Sequence, residues 1–181
     1  MYKSINQWSF AGGMDAKACL LAAKAAGFAG FEPAFDAEGP LSPKAGDSGA
    51  RELRALADSE GVRLPSLASG LYWQHPLTAE SPAARKIAED IVRAQLDCAA
   101  ALGVGAILVV PGTVGRGFWG GSECTAYADA YARAQEALVR LAPEAQARGV
   151  VIGVANIIPG VSGGTMMVSM GVYDTLIHCI T

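Results

Sequence analysis

The sequence has no cluster of lysine or arginine. Its 14 basic residues are outnumbered by 17 acidic ones, for a net charge of −3, with a pI near 5.4. Cations scattered over helix positions in an acidic chain argue against nucleic acid, or an anionic membrane surface, as the main partner. A Cys-x-x-C pair is also missing. Cys19, Cys98, Cys124 and Cys179 stand far apart, which points to buried, reduced thiols in a cytosolic protein rather than to disulfides or zinc ligands. No apolar stretch follows Met1-Tyr2-Lys3-Ser4, so no secretory signal is expected and the expected localisation is cytoplasmic. No G-x-G-x-x-G follows the first strand-like run, which weakens a dinucleotide-binding reading. The 181 residues suffice for one domain with a real core. They fall short of the ~250 of a (β/α)₈ barrel, so a barrel reading has to account for missing chain.

What is present is an alternation of short strand-like runs and helical stretches. Ile5–Phe10 reads as a first strand, followed by a Gly12-Gly13 turn. Asp15 is an N-cap for a helix whose inward stripe includes Ala16, Leu20 and Ala23 and which ends at Gly27. A second strand lies within Phe28–Phe35. Asp47 or Ser48 caps a helix that turns Leu53, Leu56 and Ala57 inward and stops at Gly61. Val62–Ser69 is a third strand, and the long loop Gly70–Glu80 follows. Ser81-Pro82 starts the clearest helix, with Ile87, Ile91, Ala94, Cys98 and Leu102 on one face. Ala106–Val110 is wholly apolar, as expected of a strand buried on both faces. After the Gly-rich loop Pro111–Ser122 comes a helix with a core stripe of Tyr127, Tyr131, Ala134, Leu138 and Leu141, then a fifth strand, Val150–Val154. This βαβαβαβαβ order is α/β, with loops sized for right-handed crossovers; doubly wound sheets and barrels both fit it.

The two long loops follow strands three and four, at the C-terminal end of the sheet, where both architectures build ligand sites. Tyr72-Trp73-Gln74-His75 and Arg116-Gly117-Phe118-Trp119 are therefore the substrate-contact candidates on physical grounds. Aromatic rings beside hydrogen-bonding groups suit the apolar face and hydroxyls of a sugar.

Ser4-Ile5-Asn6-Gln7-Trp8-Ser9-Phe10, Gly30-Phe31-Glu32-Pro33 and Ser69 through Thr78 resemble the xylose-isomerase-like sugar phosphate isomerase/epimerase family. Leu102-Gly103-Val104, Val109-Val110-Pro111-Gly112 and Gly149 through Val154 fit the same order and spacing. The resemblance covers residues 1 to about 156. It implies the N-terminal half of a TIM-type barrel, with about five strands and four helices. It also implies aldose–ketose isomerisation or epimerisation on a sugar or sugar phosphate, with a divalent metal such as Mn or Mg in full-length members. The substrate-binding set it suggests is Asn6, Trp8, Glu32, Trp73, His75 and Arg116.

The sequence departs from that family at the metal. The first metal carboxylate is expected at the end of strand five in a Gly-Val-Glu-Asn context, and this chain reads Gly153-Val154-Ala155-Asn156. Later ligands would come from strands six to eight. The expectation is a chain with no metal of its own, inactive by itself.

Several of these residues have plainer readings. Glu32 is a substrate or metal-shell carboxylate, or else a solvated or Lys-paired strand end. His75 is a substrate contact or proton shuttle, or a loop residue that only caps. Trp8 and Trp73 are sugar platforms or barrel-top packing. Arg116 is a binder of a substrate phosphate or a lone loop cation. Asp36 and Glu38, beside Gly39-Pro40, read as an exposed turn, and Tyr127 and Tyr131 as structural.

From Val150 to Tyr173 there is no charged residue. The string Gly153 through Thr165, with Gly171-Val172-Tyr173 and Leu176-Ile177, resembles the first membrane segment of bacterial polyprenyl-phosphate transporters. Its Ser162–Thr165 turn can aim backbone N–H groups at an anion, but in this chain a helix start with no ligand is the reading preferred. Residues 157–181 are accordingly expected as a separate apolar, Gly-rich segment with a helix from about Thr165 to Ile180, in a chimeric or truncated chain. The alternatives to an isomerase/epimerase-like protein are then a fragment of such a transporter, membrane-associated through residues 150–181, and a metal-free sugar-binding module. An open half-barrel also leaves edge strands and apolar surface bare, so self-association is expected.

Overall fold

The structure is a computed structural model that describes residues 2–116 and 124–154. Its elements run β1 (Ser4–Asn6), α1 (Ala16–Ala25), β2 (Gly30–Glu32), β3 (Ala34–Phe35), α2 (Ser48–Glu60), β4 (Ala68–Ser69), α3 (Pro82–Leu102), β5 (Ala106–Val109), β6 (Gly115–Arg116), β7 (Cys124–Thr125), α4 (Tyr127–Ala147) and β8 (Val151–Val154). The tail, with Ala155, the Ser162–Thr165 turn and the expected Thr165–Ile180 helix, lies outside the described residues, as do Phe118 and Trp119.

Strand order decides between the two architectures. β1 pairs with β2, β3 with β4 and β5 with β8, all parallel. Single bridges, Gly30 to Arg63 and Leu67 to Ile107, join these pairs into one succession. Each parallel strand thus lies beside the next one in sequence, the order of a barrel wall; a doubly wound sheet would reverse direction partway. The short antiparallel pair β6–β7 is an excursion after β5.

Local chemistry sets the helix ends. Asp15 Oδ1 accepts from the Ala18 amide at 2.8 Å, and Ser81 caps the Ala84 amide with Pro82 in the first turn. Gly61 and Gly103 close α2 and α3 in the left-handed region, with φ of +68° and +71°. Asp47 stands at the N-cap of α2 without a side-chain cap bond. The core between helices and sheet holds Leu20, Phe31, Phe35, Leu53, Leu67, Leu96, Ile107 and Leu141, all essentially buried. Cys19 and Cys98 are free, buried thiols within it.

Several sequence expectations need correction. The first strand ends at Asn6 rather than Phe10, because Asn6 Oδ1 accepts from the Trp8 amide at 2.7 Å and turns Gln7–Ser9 into one 3₁₀ turn. On α3 the buried residues are Ala88, Val92, Gln95, Leu96, Cys98, Ala99 and Leu102, so Cys98 and Leu102 of the expected stripe are buried and Ile91 and Ala94 pack partly buried against the core, while Ile87 is 50% exposed. The buried face thus centres on small alanines, one glutamine and Val92, Leu96 and Leu102, shifted by one position from Ile87 to Ala88. α4 repeats the offset: Ala130, Ala137, Leu141 and Ala145 are buried, whereas Tyr127 is 52% exposed and stacks on Tyr131 with ring centroids 6.1 Å apart. Tyr127 is therefore not a core residue. β5 is not buried on both faces either. Ile107 and Val109 are buried under the helices, while Ala106 and Leu108 on the other face are half-buried.

Helices α3 and α4 are tied by charge at their outer seam. Arg140 reaches Glu89 at 2.7 Å, Arg93 reaches Glu144 at 3.0 Å, and Arg148 reaches Asp97 at 2.6 Å. Among the described residues no helix is long and apolar enough to cross a membrane.

Candidate functional site

Residues paired across parallel strands point to the same face. Asn6 of β1 pairs with Glu32 of β2, so both reach the concave face at the C-terminal ends of the strands. There Asn6 Nδ2 donates to Glu32 Oε2 at 2.5 Å, and Ser66 Oγ, just ahead of β4, donates to Glu32 Oε1 at 2.5 Å. Asn6 serves two masters: its amide NH₂ holds the carboxylate while its oxygen holds the Trp8 backbone. Three successive strand units thus converge on one half-buried carboxylate. Glu32 is neither solvated alone nor paired with a lysine.

Trp8 rides on the 3₁₀ turn that Asn6 caps and is 55% exposed. Next to it, Gln7 Oε1 accepts from the Ala34 amide at 2.9 Å, tying the turn to β3. A Cβ placed on Gly70 would stand 3.7 Å from Trp8 Cζ2 and 3.9 Å from Trp73 Cδ1. Both indoles therefore lie near Gly70, within van der Waals reach of a side chain placed there.

Trp73 belongs to a second 3₁₀ turn, Leu71–Trp73. This turn opens the loop after β4, which is braced at both ends. At the start, the Tyr72 hydroxyl donates to Gln95 Oε1 at 2.5 Å, and Gln95 Nε2 donates to the Leu67 carbonyl at 2.8 Å. At the end, the Thr78 amide donates to the Pro111 carbonyl at 3.2 Å, and Arg133 donates to the Thr78 carbonyl at 3.0 Å. Between the braces, the His75 amide donates to the Leu71 carbonyl at 2.9 Å, leaving a half-buried imidazole on the arch.

The six sequence candidates thus fall into three groups. Asn6, Trp8 and Glu32 form one hydrogen-bonded unit. Trp73 lies near Gly70, as Trp8 does, and His75 sits two residues along the same loop. Arg116 lies on the backbone of β6, beyond β5, and its side chain is outside the description. Tyr72, read from sequence as a substrate contact, is fully buried, and burial pushes its phenol well above the ordinary range. Asp36 and Glu38 form the expected exposed turn. Sequence reasoning missed Ser66, Gln7 and Gln95. Only Gln95 left a trace, as a polar residue between apolar positions of α3.

The described donors do not fit the divalent metal that the resemblance implies. No three His, Cys, Asp or Glu side chains converge among the described residues, and Asn6 and Ser66 each bond one Glu32 oxygen.

Known proteins agree with the strand order. The xylose isomerase-like TIM barrel family matches residues 20–166. That match runs through the Pro159–Thr165 string that carried the transporter resemblance, and nothing found supports that resemblance. No curated protein matches the chain. Among solved structures, D-psicose 3-epimerase with D-tagatose from Clostridium cellulolyticum H10 is 21% identical with a TM-score of 0.70, over 87% of this chain and 53% of that one. A D-psicose 3-epimerase in the presence of D-fructose is 18% identical with a TM-score of 0.74, over 93% and 59%. The 3-keto-D-glucoside 4-epimerase of E. coli is 16% identical with a TM-score of 0.66, over 87% and 56%. The chain spans between half and three-fifths of the length of these structures. Half a barrel wall in consecutive order, matched by the family over most of its length, leads to one assignment: this chain belongs to the xylose isomerase-like TIM barrel family.

Proposed function

We propose that the chain is a sugar isomerase/epimerase-class protein whose described residues form the sugar-holding end of the barrel. The observation that carries the reading is the Asn6–Glu32–Ser66 unit beside two indoles that converge on Gly70. A carboxylate fixed through both oxygens has lone pairs left for sugar hydroxyls, and indole faces suit the C–H face of a pyranose or furanose. The relatives in solved structures, named for D-psicose, D-tagatose and D-fructose, guide the choice of ligands to test.

We further propose that these 181 residues bind sugar without turning it over. Proton transfer beside a carbonyl needs a polarised carbonyl oxygen and a carboxylate free to take the proton. Ala155 stands where the strand-five carboxylate is expected, and no three His, Cys, Asp or Glu side chains converge among the described residues.

Calorimetric titration with D-psicose, D-tagatose and D-fructose, with and without chelator, tests the reading. Saturable binding unaffected by chelator is the expected result, with Glu32→Gln weakening it about tenfold, one charge-assisted hydrogen bond's worth. No binding of any ketose overturns the sugar reading. Turnover with added Mn²⁺ and stoichiometric metal uptake overturns the inactive reading.

The concave face also supports self-association. Val151 is 56% exposed on the same face as Ala106, and β1 and β8 each pair on one side only among the described residues. Sedimentation should give a species heavier than one chain; a monodisperse monomer that binds no apolar dye counts against it.

A further inference from the structure

We infer that the buried Tyr72–Gln95 pair is a positioning device that sets the Trp73 indole in the sugar site; the consequence for sugar affinity rests on the proposed function. Gln95 is fully buried in the middle of α3, a place where an apolar side chain would pack at no desolvation cost. Its amide is used in both directions. Nε2 donates to the Leu67 carbonyl at 2.8 Å and faces the Leu108 carbonyl at 3.4 Å, while Oε1 accepts the Tyr72 hydroxyl at 2.5 Å.

Leu67 and Leu108 belong to adjacent strands already bridged to each other, the Leu108 amide donating to the Leu67 carbonyl at 3.0 Å. The amide therefore adds little to the sheet itself. What it adds is a fixed acceptor, anchored to two strands, at the point where the chain leaves β4. Tyr72 takes that acceptor and is fully buried in doing so. Its neighbour Trp73 is half-buried and lies towards Gly70, the glycine that Trp8 also approaches. Within a single 3₁₀ turn, an inward anchor at Tyr72 dictates where the next side chain points. The far brace at Thr78 holds the other end of the arch; at the near end the Leu71 amide donates to Ser69 Oγ at 3.3 Å, which fixes the start of the turn but touches neither Tyr72 nor Trp73. Gln95 and Tyr72 touch no proposed ligand themselves.

The test uses the full chain carrying Trp8→Phe and Trp119→Phe, which leaves Trp73 as its single tryptophan among the three present. Tyr72→Phe and Gln95→Met are added separately, and acrylamide quenching of Trp73 is compared with that of the parent. Tyr72→Phe keeps the ring and removes only the hydroxyl, so it preserves a folded chain where Gln95→Met does not. The expected result is about a twofold higher quenching constant in each folded variant. In the chain with all three tryptophans, the same substitutions should weaken ketose binding about tenfold. Unchanged quenching in Tyr72→Phe, with its cooperative melt retained, overturns the proposal. Raised quenching with unchanged ketose affinity overturns the link to the site. If the parent binds no ketose while quenching still rises, the sugar reading fails and the positioning device stands.

Discussion

Gly112→Ala isolates the joint between the two long loops. Gly112 has φ of +150°, and a Cβ there would stand 1.9 Å from Thr78 Oγ1 and 3.1 Å from Pro76 Cβ. Thr78 has little freedom to yield. It is buried, its amide is bonded to Pro111, and its carbonyl to Arg133. Overpacking of this kind costs about 1–3 kcal/mol, and an L side chain at positive φ adds about 1–2 kcal/mol. For a domain of this size the sum lowers the thermal midpoint by roughly 5–15 °C, short of abolishing the fold. The paired control is Gly105→Ala, where an added Cβ meets nothing within 4 Å and φ is not positive. It should leave the melt unchanged or raise stability by about 0.4–1 kcal/mol through the unfolded chain. Thermal unfolding followed by circular dichroism reads both, and native hydrogen exchange should show the Thr78 amide released in Gly112→Ala only. Equal midpoints for the two variants would refute the packing of the loop after β4 against the loop after β5.

Burial pushes the Cys98 thiol up to about 12 from an ordinary 9.0. The folded state keeps this proton while the unfolded chain gives it up, so its contribution is intact below pH 9 and is lost as pH rises towards 12. The slope is at most about 1.4 kcal/mol per pH unit. Cys98→Ala should flatten the alkaline limb of a denaturation series, and a thiol reagent at pH 8 should label Cys98 only after unfolding. Glu89, whose side chain is 13% exposed, receives both Arg140 and Arg93. Glu89→Ala should cost about 1 kcal/mol in urea unfolding, and the loss should shrink in 1 M salt; a salt-independent loss would point to packing instead.

Much of the architecture was legible because its signals are local. Asp15, Ser81, Gly61 and Gly103 announce helix ends through groups that satisfy or release backbone bonds within a few residues. The apolar run at Ala106–Val109 likewise marks a strand without outside help. What stayed hidden depends on partners far away in sequence. Periodicity places a stripe on α3 but cannot fix its centre to one residue: Ile87 faces solvent while its neighbour Ala88 is buried. Gln95 in the core contradicts any binary pattern; its acceptors and donor come from Leu67, Leu108 and Tyr72. Half of the site was visible as residue types, since Trp8, Glu32 and Trp73 stand at strand ends. Ser66 left no mark, because a serine before a strand has many ordinary uses, and only the fold brings it to Glu32.

The consecutive order of the parallel strands has a consequence for how the chain is made. Every one of them pairs with a predecessor already emerged from the ribosome: β2 with β1, β4 with β3, β8 with β5. At synthesis rates of roughly 5–20 residues per second, each strand–helix unit takes seconds to appear, while a helix forms in about a microsecond. No strand has to wait for a later one to supply its inner neighbour, so the wall can be laid from one end in the order in which it is translated. The exposed face grows with the chain, and at every stage two edges stand open among the described strands, that of β1 and that of the newest strand.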